Sequence, residues 1–265
     1  MSELVLSEKS GRVLTLTINR PEALNALNQQ SLRELRKAVE AAARDASVGC
    51  LILTGAGRAF CTGADLRELS ARYQAGDTEL GEDLRRNYAP LVRAIRACRK
   101  PVIAAINGTA AGAGLSLALA CDLRIAAAGA QLIVVFIRVG LVPDAGSLFF
   151  LTRIFGFSKA LEMALTGDPM PVEEAERLGA VAAVVPADRL MATAGERAAL
   201  LADGPTTAYS LIKRGLERAL SLDLEQSLEL ESQLQGLAAR TPDHQEAVAA
   251  FLEKRKPRFG NQRTP

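Results

Sequence analysis

The sequence predicts an α/β core followed by a helical C-terminal region. Short apolar runs such as GCLILTG (49–55) and PVIAAING (101–108) are typical of buried strands. Helical patterns separate these runs, and from Asp188 onward only helical patterns follow. Strands of this kind belong in a sheet that is covered on both faces. We therefore expect an α/β core over residues 1–187 and a helical part over 188–265 that caps the core or contacts a partner subunit.

Local patterns support each element of this arrangement. The segment RVLTLTIN alternates apolar and polar residues as a strand does, and Pro21 ends it. The segment PVEEAERLG has proline in its first turn and glycine just beyond its end, as helices do. In chain order the patterns predict a strand at 12–19, a helix at 28–46, a strand at 49–55, a glycine-rich loop at 57–66 that opens into a short helix, a helix at 79–98, a strand at 101–108, a small-residue turn followed by a helix, a strand at 122–129, a strand and loop at 130–140, helices at 145–156, 158–167 and 171–179, and a strand at 180–186.

Composition and charge narrow the classes of function. The chain has 265 residues, is 49% hydrophobic but only 4% aromatic, and carries a net charge of +2. Scarce aromatic residues argue against a stacking platform for single-stranded nucleic acid, and the basic run EKRKPR is typical of a solvated helix end. The N-terminal segment lacks the pattern of a signal peptide, and the longest apolar stretches are too short to cross a bilayer. We expect no nucleic-acid or membrane partner and a cytoplasmic location.

Histidine and cysteine usage excludes several kinds of catalytic site. His244 is the only histidine, and it lies in a predicted amphipathic helix where a surface or capping role is expected. One histidine cannot build a histidine-rich metal site within one chain. The cysteines are widely spaced and form no CxxC pair, which favours buried free thiols: Cys50, Cys61, Cys98 and Cys121. We expect no metal, and chemistry that runs on carboxylates, backbone amides or a cofactor.

Two glycine-rich turns are candidate anion sites. GRAFCTGADL (57–66) and NGTAAGAGLS (107–116) each lead from a strand into a helix. A helix start presents free N–H groups and the positive end of the helix dipole. Neither turn has the lysine of a phosphate-binding loop or the GxGxxG spacing of a dinucleotide site. Close packing of helix on strand explains either turn alone, but the pair together indicates two amides that share one carbonyl oxygen, an oxyanion hole.

The sequence resembles the enoyl-CoA hydratase/isomerase family, also called the crotonase family. The order and spacing of the matching segments agree along nearly the whole chain. These segments are NRPEALNAL (19–27), GRAFCTGADL (57–66), PVIAAINGTAAGAGLSLALACDLRIA (101–126), GLVPDAG (140–146) and AFLEKRKPRF (250–259). The resemblance implies a spiral of ββα units, assembly into trimers or hexamers, and an acyl-CoA thioester as ligand. It implies no cofactor, because coenzyme A is part of the substrate.

The resemblance also assigns roles to individual residues. The oxyanion amides fall on Ala64 and Ala113, and the second position is usually glycine in the family. Phe251 and Lys254 match positions that reach coenzyme A from a neighbouring subunit. The other positions implied to bind substrate are Ala23, Leu24, Asp65, Leu66, Gly112 and Phe136.

Two positions depart from the pattern of the family's hydratases. Those hydratases hold one water between two glutamates, at positions where this chain has Ser116 and Phe136. The pKa of a serine hydroxyl is too high for a general base, and phenylalanine has no proton to offer. Because both acids are missing, we do not expect efficient addition of water.

Asp144 is the candidate acid/base. It is the only Asp or Glu between Asp122 and Glu162, and its neighbourhood is apolar. In the family an acid in this turn faces the acyl chain, and GLVPDAG resembles the motif of the phenylacetate-pathway isomerases. From the local sequence alone, Asp144 is also a good helix N-cap, with Arg138 as a possible charge partner.

We therefore expect an enoyl-CoA isomerase that shifts a carbon–carbon double bond, using an oxyanion hole and one aspartate. Two alternatives stay open. One is an enoyl-CoA hydratase of fatty-acid or aromatic-acid degradation, with Asp144 and Ser116 sustaining slow hydration. The other is an acyl-CoA-binding protein without catalysis, in which Asp144 only caps a helix.

Overall fold

The structure, a computed structural model, describes residues 3–260. The strands of this region are β1 (Val5–Ser10), β2 (Val13–Ile18), β3 (Cys50–Gly55), β4 (Ala59–Cys61), β5 (Val102–Ile106), β6 (Thr109–Ala111), β7 (Leu123–Ala127), β8 (Gln131–Ile133), β9 (Pro169–Pro171) and β10 (Ala183–Val185). Its α-helices are α1 (Gln29–Arg44), α2 (Leu66–Gln74), α3 (Leu80–Asp83), α4 (Ala89–Ala97), α5 (Ala113–Ala120), α6 (Ser147–Thr166), α7 (Val172–Arg177), α8 (Leu190–Ala202), α9 (Thr206–Ala219), α10 (Leu224–Ala239) and α11 (Pro242–Leu252).

The strands form two sheets, and from β3 to β8 successive strands alternate between them. The larger sheet has the order β1-β2-β3-β5-β7-β10, and the smaller one has the order β4-β6-β8-β9. Only β1 runs antiparallel to its neighbour in the larger sheet, and only β9 does so in the smaller one. The pairs β3–β4, β5–β6 and β7–β8 each contribute one strand to each sheet before the next helix. The predicted spiral of ββα units is confirmed.

Both faces of the larger sheet are covered, which explains its continuous apolar runs. In β3, Leu51 and Leu53 pack into the main core, while Cys50 and Ile52 point to the opposite face. That opposite face is covered by α8 through its buried side chains Leu190, Ala194, Ala198 and Ala202. The helical region after residue 187 therefore begins with a helix that caps the sheet.

Several short elements were not expected from the sequence. The strands β1, β4, β6 and β9 were missed, and β4 and β6 lie in segments that we had described as glycine-rich or small-residue turns. A three-residue strand has too few residues for a periodic pattern. The predicted helix at 79–98 contains a π-helical turn over 84–88, and the helices at 145–156 and 158–167 form one helix with a break at Gly156.

No helix among residues 3–260 is both long and apolar enough to span a membrane.

Candidate active site

A cavity of about 850 Å³ lies where the glycine-rich turns meet the segment that contains Asp144. Most of the site residues expected from the sequence line it. They are Ala23, Leu24, Ala64, Asp65, Leu66, Gly112, Ala113, Phe136 and Asp144. The cavity therefore collects residues from four separate parts of the chain.

The turn between β4 and α2 presents the N–H of Ala64. Leu27 donates its N–H to the carbonyl of Gly63 (2.6 Å), and Asp65 donates to the carbonyl of Leu27 (2.9 Å), so Ala64 is held on both sides. Gly63 has φ of +95°, and a Cβ there would lie 3.2 Å from the nitrogen of Ala113. Within the described chain the N–H of Ala64 has no hydrogen-bond acceptor.

The turn between β6 and α5 presents the N–H of Ala113. Gly112 precedes the helix with φ of +51° and donates its N–H to the carbonyl of Ile133 (3.0 Å). A Cβ on Gly114 would lie 2.2 Å from the carbonyl oxygen of Cys61, so glycine allows α5 to pack directly on β4. Ala113 occupies the first helical position, where the N–H has no partner in its own helix. Among residues 3–260 it has none elsewhere either.

Asp65 shapes the same side of the cavity but is already paired. Its carboxylate accepts a hydrogen bond from Arg20 (2.8 Å) and caps α2 through the N–H groups of Arg67 and Glu68. Burial raises the pKa of Asp65, but these hydrogen bonds outweigh that effect and lower it below the usual value. Asp65 is thus held as an anion and has a structural partner.

The Asp144 side chain does not cap the helix that follows it. Helix α6 begins at Ser147, its N-cap residue is Gly146, and no side chain caps it. The contact of Asp144 with the helix is through its backbone carbonyl, which accepts the N–H of Ser147 (2.8 Å). Its carboxylate oxygen Oδ1 is buried without a hydrogen-bond partner in the described region. The capping alternative is therefore wrong, and the carboxyl group is left for the cavity.

Burial, followed by the charge of Asp83, raises the pKa of Asp144 to about 6. The expected charge partner, Arg138, instead lies 3.8 Å from Asp168 at the surface. A carboxyl group with this pKa is ionised at neutral pH yet readily accepts a proton, as a general acid/base must.

The two positions that depart from the hydratase pattern have different surroundings. Phe136 is 6% exposed and lines the cavity beside Gly112. Ser116 is fully buried and does not line the cavity. Its hydroxyl contacts the carbonyl oxygens of Gly112 (3.2 Å) and Asp144 (3.1 Å) and the hydroxyl of Ser147 (2.6 Å). The hydroxyl of Ser116 is engaged with the protein and is not available to a water in the cavity.

Sequence reasoning missed a group of polar residues that also line the cavity. Arg72, Asp83 and Tyr88 all line the cavity, and Arg72 pairs with Asp83 (2.7 Å) and with Asp77 (2.8 Å). Burial raises the pKa of Tyr88, and the charge of Asp144 adds to this shift. The spacing of Tyr88 from the inward-facing Leu84 and Leu91 could have predicted that it faces inward. No local pattern indicated Arg72 or Asp83.

The remaining sequence predictions concern residues outside the cavity. Phe251, 83% exposed, and Lys254 do not line it, so their predicted contact from a neighbouring subunit stays a prediction. His244 lies in the first turn of α11, where its N–H donates to the Thr241 side chain. The expected buried free thiols are present: Cys50, Cys61, Cys98 and Cys121. Among residues 3–260 no cluster of three or more His, Cys, Asp or Glu side chains could hold a metal ion.

Known proteins resemble this chain over nearly its whole length. The sequence pattern of the enoyl-CoA hydratase/isomerase family matches residues 8–262. The 1,2-epoxyphenylacetyl-CoA isomerase of Escherichia coli (strain K12) is 41% identical over 259 residues, which cover 98% of this chain and 99% of that enzyme. The 2,3-dehydroadipyl-CoA hydratase of the same strain is 38% identical over 259 residues, with the same coverage of 98% and 99%.

Solved structures agree with the sequence matches. The crystal structure of an enoyl-CoA hydratase from Polaromonas sp. JS666 has a TM-score of 0.92 at 32% identity and covers 96% of this chain and 99% of that one. Sequence and fold therefore match together over nearly the whole chain. The chain is an enzyme of the enoyl-CoA hydratase/isomerase (crotonase) family, which acts on acyl-CoA thioesters.

Proposed function

We propose that the protein is an enoyl-CoA isomerase that moves a carbon–carbon double bond along the acyl group of a coenzyme A thioester. The observation that carries this proposal is the carboxyl group of Asp144, which lines the cavity with a buried oxygen that has no protein partner. Isomerisation needs one group that takes a proton from one carbon and returns it to another. Hydration benefits from a second acid, and Ser116 and Phe136 supply none.

The proton transfer uses two features of the cavity. The carboxylate of Asp144 removes a proton from the α-carbon of a 3-enoyl-CoA or related thioester, and the electron pair moves into the thioester carbonyl. The N–H groups of Ala64 and Ala113 donate to the resulting enolate oxygen, which is why the α-proton becomes removable. Protonated Asp144 then delivers the proton to the γ-carbon, and the double bond ends next to the thioester. This chemistry needs neither a metal nor a redox cofactor.

The thioester binds in the same cavity. The backbone around Ala23, Leu24, Ala64 and Leu66 lines the path of the adenine and pantetheine groups, and Phe136 lies beside the acyl group. The similarity to an isomerase of 1,2-epoxyphenylacetyl-CoA supports a ring-containing acyl group as one substrate. The similarity to a hydratase makes water addition the competing activity.

The deciding experiment compares wild type with Asp144→Asn on a 3-enoyl-CoA in D₂O. General acid/base groups contribute roughly 100- to 10,000-fold, so isomerisation should fall by about that factor. Deuterium exchange at the α-carbon should disappear, while binding of the thioester and the folded state should persist. Near wild-type isomerisation and exchange in the variant would show that Asp144 is not the acid/base.

A matched control uses Asp83, another aspartate that lines the cavity. Asp83→Asn removes a charge close to Asp144, but Asp83 is already paired with Arg72 and bonded by Asn87. The control should retain α-proton exchange. Water addition to a 2-enoyl-CoA is measured in parallel. If wild type hydrates this substrate faster than it isomerises the 3-enoyl-CoA, the protein is a hydratase instead.

A further inference from the structure

Two buried serines tie the Asp144 turn to the helix that begins at Ala113. Ser116 in α5 and Ser147 at the start of α6 are 0% and 1% exposed. Their hydroxyl oxygens lie 2.6 Å apart, and the Ser116 hydroxyl lies 3.1 Å from the backbone carbonyl of Asp144. It also lies 3.2 Å from the carbonyl of Gly112, the residue just before Ala113.

The number of protons sets the direction of these hydrogen bonds. Among residues 3–260, the Ser147 hydroxyl has only the Ser116 hydroxyl as a partner, so Ser147 donates to Ser116. Ser116 then has one proton left for the carbonyl of Asp144 or of Gly112. The carbonyl of Asp144 also accepts the backbone N–H of Ser147. Two donors, the Ser147 N–H and the Ser116 hydroxyl, therefore lie within hydrogen-bond distance of the Asp144 carbonyl, and the hydroxyl also contacts Gly112 in the second turn of the cavity.

The turn needs such support because its backbone is strained. Ala145 has φ of +49°, a left-handed conformation that is unfavourable for a residue with a Cβ atom, and Gly146 follows with φ of +89°. No side chain caps α6. If the turn relaxed, the carboxyl group of Asp144 could leave its buried position and become exposed to water.

We propose that Ser116 and Ser147 are positioning residues, which hold the carboxyl group of Asp144 at a set distance from the oxyanion amide of Ala113. This inference rests on the proposed function only in taking Asp144 as the acid/base. Neither hydroxyl acts on the substrate directly, since neither serine lines the cavity. They act by fixing the position of the Asp144 carboxyl group.

The test is Ser116→Ala. Misplacing a reacting group by about 1 Å can cost on the order of 100-fold, so kcat should fall roughly 10- to 100-fold while KM changes little. The pKa of Asp144 should fall from about 6 toward its ordinary value. The carboxyl group would become more exposed to water and would move away from Asp83 and Tyr88. A lower kcat with an unchanged pKa and pH profile would reduce Ser116 to a packing residue and overturn the proposal.

Three further variants separate positioning from stability. Thr54→Val removes another buried hydroxyl that bonds a backbone carbonyl, and Thr54 does not line the cavity, so the pH profile should stay unchanged. Ser116→Cys keeps a weak donor and should restore part of kcat. Ser147→Ala should lower kcat less than Ser116→Ala, because Ser116 can still reach the Asp144 carbonyl. If Ser116→Ala does not fold, Ser147→Ala carries the same test of the pH profile.

A titration without turnover separates this inference from the proposed function. The ¹³C signal of the Asp144 carboxyl group, assigned with Asp144→Asn, reports its pKa in the absence of substrate. If the wild type proves not to be an isomerase, the shift on Ser116→Ala still tests whether the serines position Asp144. If isomerisation is confirmed but Ser116→Ala and Ser147→Ala leave the carboxyl titration unchanged, only the positioning proposal fails.

Discussion

At the scale of single residues, burial and a nearby negative charge shift the pKa of Asp144 in the same direction. Burial disfavours the carboxylate and the charge of Asp83 disfavours it further, so both raise the pKa to about 6. The carboxylate of Asp144 is therefore less stable in the folded protein than it would be in water. The burial of Asp144 therefore lowers the free energy of unfolding at neutral pH and makes its carboxylate more basic.

This cost predicts a pH-dependent effect on stability. The folded-state pKa of Asp144 exceeds the ordinary value of 3.8, so its stabilising contribution is present below 3.8 and is lost as the pH rises through about 6. Asp144→Asn stays neutral and should raise the free energy of unfolding at pH 8 by at most about 3 kcal/mol. At pH 4 the gain should be much smaller. Chemical denaturation at both pH values measures it.

Asp168→Asn is the control for that measurement, because the Asp168 side chain is 75% exposed. It should show no such gain at pH 8. Equal gains for Asp144→Asn at pH 4 and pH 8 would mean that Asp144 ionises normally in the folded protein.

At the scale of elements, the two glycine-rich turns each leave one backbone N–H group without an acceptor among residues 3–260: those of Ala64 and Ala113. Ala113 stands at the first position of α5, where a proline fits a helix since the N–H is free there in any case. Gly112 before it has φ of +51° and ψ of −130°, which lies outside the α region that a following proline disfavours. A proline at 113 therefore removes the donor with little disturbance of the helix.

We expect Ala113→Pro to lower kcat on the order of 100- to 1,000-fold, the usual effect of losing one oxyanion donor. Steady-state kinetics and circular dichroism together check that activity is lost and the fold is kept. Ala113→Ser is the matched control, because it adds bulk at the same position but keeps the N–H, and it should retain most of the activity. Similar losses in both variants would attribute the effect to crowding and contradict the oxyanion assignment.

At the scale of the whole molecule, the helical region exposes more apolar surface than a solvated appendage needs. Leu216 in α9, Leu224 in α10, and Phe251 and Leu252 in α11 are each more than two-thirds exposed. Contiguous exposed apolar surface commonly marks a protein–protein interface. Self-association would bury these side chains.

We expect a trimer or a dimer of trimers at micromolar concentration, measured by sedimentation equilibrium. Phe251→Ala and Lys254→Ala should also raise KM for the thioester. Neither residue lines the cavity of its own chain, so such an effect would come from a neighbouring subunit. Sedimentation as a monomer only, with unchanged KM in both variants, would contradict this prediction.

Much of the fold could be predicted because its signals are local. The apolar runs of β3 and β5, the helical spacing of α1 and the Pro and Gly residues that bound α7 depend on neighbours within a few residues. Three of the four strands of the smaller sheet were missed: β4, β6 and β9. The strands β4 and β6 are held by partners across the spiral and not by their own sequence.

The order of the main elements, the exclusion of a histidine-rich metal site and the isolation of Asp144 among apolar residues all follow from the amino-acid sequence. Three features became visible only in the folded chain: the Asp144 carboxyl group is not a helix cap, Arg138 pairs elsewhere, and Tyr88 and Asp83 line the same cavity. These features depend on residues that are far apart along the chain. Burial, charge and hydrogen bonding at Asp144 come from residues up to some sixty positions away, and packing alone brings them together.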